Sequence, residues 1–254
     1  MLRVVTTMNR AGWKQTGARM VESFRKHWPA DVEFLLYAED FDPNVSGVTV
    51  KALPAWLREF KARHKDNRVA HGQMPTRYDF RFDAVKFSHK VAAVTDAGLS
   101  QDDGVMIWLD ADTFTHANVT HEWLASLFPE PSYIAWLDRV NHYPECGFVM
   151  YRCSHRSHRM AMEAFRDLYI SDQLFRLGQT HDCIALQHLI ESMARAGDIE
   201  APVSLSGSGR RASHVLANSP LSSRIDHLKG SRKSVGRTPK SERFLVHDGN
   251  PYWS

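Results

Sequence analysis

Two carboxylates one residue apart, Asp110 and Asp112, follow the apolar run Val105 to Leu109. Side chains at i and i+2 of an extended strand share a face, so both can reach one hard divalent cation. A cation held there would bridge a diphosphate and offset charge on a departing group. The D-x-D spacing is common by chance. Its competing reading has Asp110 capping the next turn and Asp112 solvated. Placement after a buried strand favours the metal, because open α/β sheets bind ligands at the carboxyl ends of their strands. A second cluster is His227-Leu228-Lys229-Gly230-Ser231-Arg232-Lys233. A neutral imidazole would complete a Mn²⁺ shell with two carboxylates. Gly230 lets backbone approach a phosphate, and Lys233 supplies a point charge for it. The competing reading is a basic surface loop with an incidental histidine, one of fourteen in the chain.

These residues need a scaffold, and the pattern supplies one. Leu2 to Thr7 reads as a buried strand, Gly12 to Trp28 as a helix ended by Pro29, and Val32 to Tyr37 as the next strand. Val48 to Leu53 reads as a further strand. A strand-helix-strand opening favours a parallel α/β sheet. Residues 54–80 read as irregular, basic and aromatic. Asp83 to Ala97 reads as a helix leading through a loop to the Val105–Leu109 strand. Beyond it come a helix over His121 to Phe128 and strands over Tyr133 to Leu137 and Gly147 to Arg152. Helices follow over Arg156 to Tyr169 and Asp182 to Ala196. Residues 203–223 are rich in Ser and Gly, which points to a mobile loop of the kind that serves as a lid.

The chain has 254 residues, 43% hydrophobic and 24% charged. That matches a globular protein and excludes wholesale disorder or a polytopic membrane protein. No apolar run approaches the ~20 residues that span a bilayer. The first residues enter a strand pattern with no signal-peptide features, and the three cysteines form no C-x-x-C pair; both lead to a cytoplasmic expectation without disulfides. Net charge is +3, but it is unevenly spread. Residues 58–90 and 210–243 each hold nine Lys or Arg, against four and two acidic residues. Two basic segments on an otherwise acidic body suit a polyanionic ligand, with solvated surface loops as the alternative.

Taken together, these residues resemble the glycogenin-like, metal-dependent glycosyltransferases of family eight, of the GT-A type. Asp110-Ala111-Asp112-Thr113 matches the family's metal motif, and His227 to Lys233 fits H-x-x-G-x-x-K. Val5-Thr6-Thr7-Met8-Asn9 is similar to the opening strand and turn that hold base and ribose. Phe87-Ser88-His89-Lys90 is similar to the helix whose lysine faces the donor. Glu145-Cys146-Gly147 stands at the family's Asn-Ser-Gly strand, and His181-Asp182-Cys183 to Gln187 resembles its Asp-Gln segment. In this chain Glu145 and Cys146 replace Asn-Ser, and Cys183 replaces Gln.

The resemblance implies a single GT-A domain over residues 1–254, with a Rossmann-like mixed, mostly parallel sheet flanked by helices. Its nucleotide-binding half would run to about residue 120, and its acceptor half would follow with the 203–223 loop. It implies sugar transfer from a nucleotide-diphosphate donor, a UDP-sugar, with Mn²⁺ or Mg²⁺ held by Asp110, Asp112 and His227. Thr6, Thr7, Met8, Lys90, Ala111, Gly230 and Lys233 would bind the donor, with Trp13 a stacking candidate. Asp182 would be the carboxylate beside the anomeric carbon, as base or as stabiliser of a cationic sugar, with Glu145 the runner-up and a helix N-cap the plain structural role for Asp182. The acceptor stays open between a saccharide or lipopolysaccharide, a protein, and a hydroxymethylated DNA base reached through the basic segments. Two other classes compete with transfer of a sugar. A metal-dependent nucleotidyltransferase would use the same aspartates, but no G-x-x-x-x-G-K-[ST] loop is present. A non-catalytic nucleic-acid-binding module would use the basic and aromatic segments alone.

Overall fold

A computed structural model describes residues 1–245 and 249–254. Nine strands and eight α-helical segments occur among them. The chain opens with β1 (Leu2–Met8), whose Val4 and Val5 are both fully buried. Apolar side chains on both pleat faces demand cover on both, so β1 is central. Next come α1 (Arg10–Gly12), a π-helical turn (Trp13–Gly17) and α2 (Ala18–His27). The expected single helix is thus three joined pieces. They bend over β1 where a Cβ at Gly17 would come within 2.2 Å of Met8 Sδ.

β2 (Glu33–Ala38) and β3 (Thr49–Lys51) follow, then α3 (Ala55–Arg63) and α4 (Ala84–Leu99). Helix α3 corrects the irregular reading of residues 54–80. Its short apolar stripe, Leu57 and Phe60, is all it buries. Asp83 caps α4 by accepting the Lys86 amide at 3.0 Å. The rest of the chain gives β4 (Val105–Leu109), β5 (Thr113–Thr115), α5 (His121–Leu127), β6 (Ile134–Arg139) and β7 (His142–Arg152). After these come α6 (His158–Ile170), α7 (Asp182–Ala196), β8 (Val203–Ser204), β9 (Ile225–His227) and α8 (Arg232–Val235).

Seven strands form one sheet in the order β3-β2-β1-β4-β7-β6-β8. The β3-β2-β1-β4 block is parallel throughout, and β6 and β8 are parallel to each other. Strand β7 runs antiparallel to both β4 and β6. Six strands therefore point one way, and the mixed, mostly parallel sheet flanked by helices is the architecture the pattern predicts. Strands from before and after residue 120 share this sheet.

Its two faces carry separate cores. Val5, Leu35, Tyr37, Met106 and Trp108 pack with α4, α6 and α7. Val4, Leu36, Ile107 and Leu109 pack with α2 and with Leu216, Leu221 and Ile225. Each such buried aliphatic side chain contributes roughly 1.5–3 kcal/mol. Residues 203–223 hold β8 and three 3-10 turns, Gly207–Arg211, Leu216–Asn218 and Pro220–Ser223. Ser206, Asn218, Ser219 and Ser222 are fully buried there, and Leu216 and Leu221 sit in the core. Among the described residues, no helix is long and apolar enough to cross a membrane.

Candidate active site

Strand β4 ends by presenting Asp110 at the carboxyl edge of the sheet. The Asp110 amide donates to Gly147 O on β7 at 2.9 Å, and the Asp110 carbonyl accepts from Thr113 N and Thr113 Oγ1. This turn feeds β5, which pairs antiparallel with β9 and sets Thr113 opposite His227. Leu228 N adds a bond to Asp112 O at 2.8 Å. A two-stranded ladder thereby carries a histidine across 115 residues of sequence to the aspartates. His227 Nε2 lies 2.9 Å from Asp112 Oδ1 and 3.6 Å from Asp110 Oδ2. Asp110, Asp112 and His227 each offer a ligand atom within 4.8 Å of the others.

What lies behind the imidazole fixes its orientation. Nδ1 sits 3.2 Å from Glu145 Oε1, so Nε2 is turned to the aspartates. A carboxylate behind the far nitrogen is the usual partner of a metal-binding histidine. The ring rests on Gly147, where a Cβ would meet its Cε1 at 2.4 Å. Two carboxylate oxygens and an oriented imidazole nitrogen are a donor set suited to Mn²⁺ or Mg²⁺ chemistry, and the residues fit such an ion.

Cations interleave with these acids. Lys233 Nζ lies 3.1 Å from Asp112 Oδ2, and Lys229 Nζ 2.9 Å from Glu145 Oε1. Lys90 Nζ joins Asp110 (3.1 Å), Asp182 (2.8 Å) and the Cys146 carbonyl (2.6 Å). Burial disfavours a charged His227, but Glu145 and Asp112 outweigh it and raise the imidazole to about 10. Burial likewise opposes charge on Lys90, yet Asp110 and Asp182 hold its ammonium well above the ordinary lysine value. Asp112, Glu145 and Asp182 are each pushed up by burial and pulled further down by their cations, so all three stay ionised.

A cavity of about 510 Å³ opens beside the aspartates, over the ends of β1 and β2. Thr7, Met8, Asp110, Ala111, Asp112 and Lys233, six of the candidate donor-binding residues, line it. Thr6 does not. It is fully buried, because successive strand residues face opposite sides. Trp13 is also absent from the lining and packs on Phe41 at 5.7 Å. Gly230 takes a left-handed conformation (φ +60°) in the turn between β9 and α8, where its Cα faces open space.

Asp182 is the first residue of α7, not its cap; His181 holds the cap position without a side-chain bond. Glu145 is buried behind His227 and is tied to Lys229 and to the Gly147 amide. Sequence reasoning missed four features. Lys229 anchors Glu145, and the H-x-K spacing was the signal for it. Glu39 and His89 form a pair at 3.7 Å on the cavity wall. Cys146 and Cys183, 37 positions apart, join the Asp182 carboxylate in one cluster. Asp226, fully buried, accepts from His227 N, from Thr238 N and Oγ1, and from Tyr252 OH.

No family model matches the sequence, and no curated protein matches it. Several solved structures are similar to it. The apo form of the glycosyltransferase GlyE of Streptococcus pneumoniae TIGR4 is 12% identical over 75% of this chain and 43% of that one, with a TM-score of 0.45. This chain thus spans under half of the pneumococcal protein's length. A glycosyltransferase involved in glycosylation of the major capsid of PBCV-1 is 9% identical over 92% and 96%, with a TM-score of 0.47. Apo mouse xyloside xylosyltransferase 1 is 9% identical over 81% and 85%, with a TM-score of 0.48. At such identities and scores, function rests on the side chains.

Proposed function

We propose that the protein is a metal-dependent glycosyltransferase that takes a sugar from a nucleotide-diphosphate donor, a UDP-sugar, and passes it to a hydroxyl. One observation carries this reading: Asp110 and Asp112 line a cavity together with Lys233, buried His227 turns its Nε2 to both aspartates, and Lys90 pairs with Asp110. Mn²⁺ or Mg²⁺ held by the three ligands would supply Lewis-acid neutralisation of a diphosphate. Lys233, on the cavity wall, would bind the same diphosphate as a point charge. Thr7 and Met8 would face the nucleoside. Stabilisation of the leaving diphosphate is then the main catalytic contribution, and removing one such group costs roughly 10²–10³-fold in kcat.

Asp182 is suited to stabilising developing positive charge on the sugar rather than to taking a proton. Lys90 keeps it ionised and weakly basic, whereas a general base works best with a pKa near the operating pH. The two basic segments make a polyanion the favoured acceptor, hydroxymethylated DNA being one such molecule. The testing experiment is calorimetric titration of a nucleotide and nucleotide-sugar panel, with and without Mn²⁺. The expected result is metal-dependent binding of one diphosphate donor, lost in Asp112→Ala. Binding indifferent to both metal and Asp112, or no binding at all, overturns the reading.

A further inference from the structure

The tip of the β6–β7 hairpin carries a second polar cavity, of about 510 Å³, lined by Arg139, His142, Arg210, Arg211 and Ser213 among others. Arg139 and His142 are paired across the hairpin, which turns through Val140 and Asn141. The Val140 amide donates to Arg210 O at 3.1 Å, so the 3-10 turn over Gly207–Arg211 is fixed to the tip. Three guanidiniums thus share one concavity with, among the described residues, a single acidic partner, Asp138, which is paired with Arg210 and accepts from Ser204 Oγ. Arg139 is held half-buried by its Nε bond to Tyr143 O at 2.7 Å. The terminal nitrogens of Arg139 and the whole Arg211 guanidinium have no partner among the described residues. Gathered like charges repel unless an anion joins them, and a guanidinium fork matches phosphate oxygens two at a time.

The cavity also stands in a telling place. Strand β6 runs in the same direction as β4, since both oppose β7, so the hairpin tip leaves the same sheet edge as Asp110. Two strand spacings separate β6 from β4, about 10 Å, and the tip stands three to four residues, about 10–13 Å, beyond the Leu137–Glu145 pair. The donor cavity lies over β1 and β2, on the other flank of the aspartates. Between the hairpin tip and Asp182, Tyr143 and Phe80 pack on His181 at 5.3 and 6.5 Å, and Phe80 is 54% exposed. Phe80, from the basic segment 58–90, thus touches His181, while Arg210 and Arg211, from the basic segment 210–243, line the cavity at the hairpin tip.

The geometry points to a phosphate-binding subsite for the acceptor, with Arg139 and Arg211 gripping a phosphate of the molecule whose hydroxyl receives the sugar. This rests on the transferase reading and names the acceptor's chemistry: it carries phosphate. Two sources offer that group, a phosphorylated saccharide and the phosphodiester of a single nucleic-acid strand.

The probe is inorganic pyrophosphate, titrated calorimetrically in EDTA into wild type, Lys233→Ala and Arg139→Ala/Arg211→Ala. A binding event common to wild type and Lys233→Ala, and at least tenfold weaker in the double variant, is expected. Glucose 6-phosphate and a single-stranded 12-mer are then added as competitors to Lys233→Ala; whichever displaces pyrophosphate identifies the source. Equal pyrophosphate binding by the double variant overturns the subsite. So does displacement by neither competitor, or binding of glucuronate as tight as that of phosphate. The double variant is expected to keep metal-dependent donor binding. A wild type that binds no nucleotide sugar, while the arginine pocket still binds pyrophosphate, would defeat the transferase reading and not the pocket.

Discussion

At position 147 even a methyl group would collide with the residue that completes the candidate metal site. A Cβ there would stand 2.4 Å from Cε1 and 2.6 Å from Nδ1 of His227, and no ring atom can give way without turning Nε2 from the aspartates. Gly147→Ala is therefore expected to weaken Mn²⁺ binding roughly 10–100-fold, the usual cost of disturbing what orients a metal-binding histidine. Overpacking should cost roughly 1–3 kcal/mol of stability. Titrating Mn²⁺ and melting the same variant separates the two effects; unchanged affinity would mean the ring does not rely on that backbone. The cysteines give a second residue-scale expectation. A hydrogen bond from Cys146 lowers the Cys183 thiol to about 6 against the opposing pull of burial, while Cys146 is pushed well up. Iodoacetamide labelling followed by mass mapping should modify Cys183 with a half-maximal rate near pH 6 and leave Cys146 intact. In Cys146→Ala the midpoint should move upward.

Short elements do most of the positioning, and short elements are what a sequence hides. The strand Val105–Leu109 and the helix Asp182–Ala196 were legible because each carries a long apolar pattern, and the D-x-D spacing announced itself at the end of one of them. β5, β8 and β9 have two or three residues each, too few for any periodicity. The ladder that delivers His227 therefore could not be read, although the histidine could. Helix α3 hid for a related reason: its basic surface and two buried side chains resemble a loop. Glu145 could be named only as a candidate, because its place behind the imidazole depends on a sheet register that no local pattern encodes. β9 depends on Asp226, whose carboxylate collects four donors from β9, Thr238 and Tyr252. Asp226→Ala would leave buried donors unpaired at roughly 1–3 kcal/mol each. Chemical denaturation should show a loss of about 3 kcal/mol or more, with Mn²⁺ binding weakened as β9 loosens; a loss under about 1 kcal/mol would mean the network is not holding the strand.

At the scale of the whole molecule, the site joins the middle of the chain to its last thirty residues through charge. Asp110 and Asp112 come from its first half, and His227, Lys229 and Lys233 from its last thirty residues. Stability must then follow pH in a definite sense. The folded-state His227 is raised to about 10, so its stabilisation is fully present below the unfolded value near 6.5 and is lost as pH rises through 10. Asp112, Glu145 and Asp182 are depressed. Their contribution is present above the unfolded carboxylate range and lost as pH falls through their folded values. With EDTA present, the melting temperature of wild type relative to His227→Asn should fall by roughly 5–10 °C between pH 6.5 and 10. Mn²⁺ is expected to reverse the slope, because an imidazole ligand must be neutral and binding would expel the proton that Glu145 and Asp112 retain. The stabilisation from a fixed Mn²⁺ concentration should therefore grow with pH across the same interval and vanish in the variant. A metal effect independent of pH, or one that survives His227→Asn, would remove the histidine from the ligand set and leave the cation to the two aspartates alone.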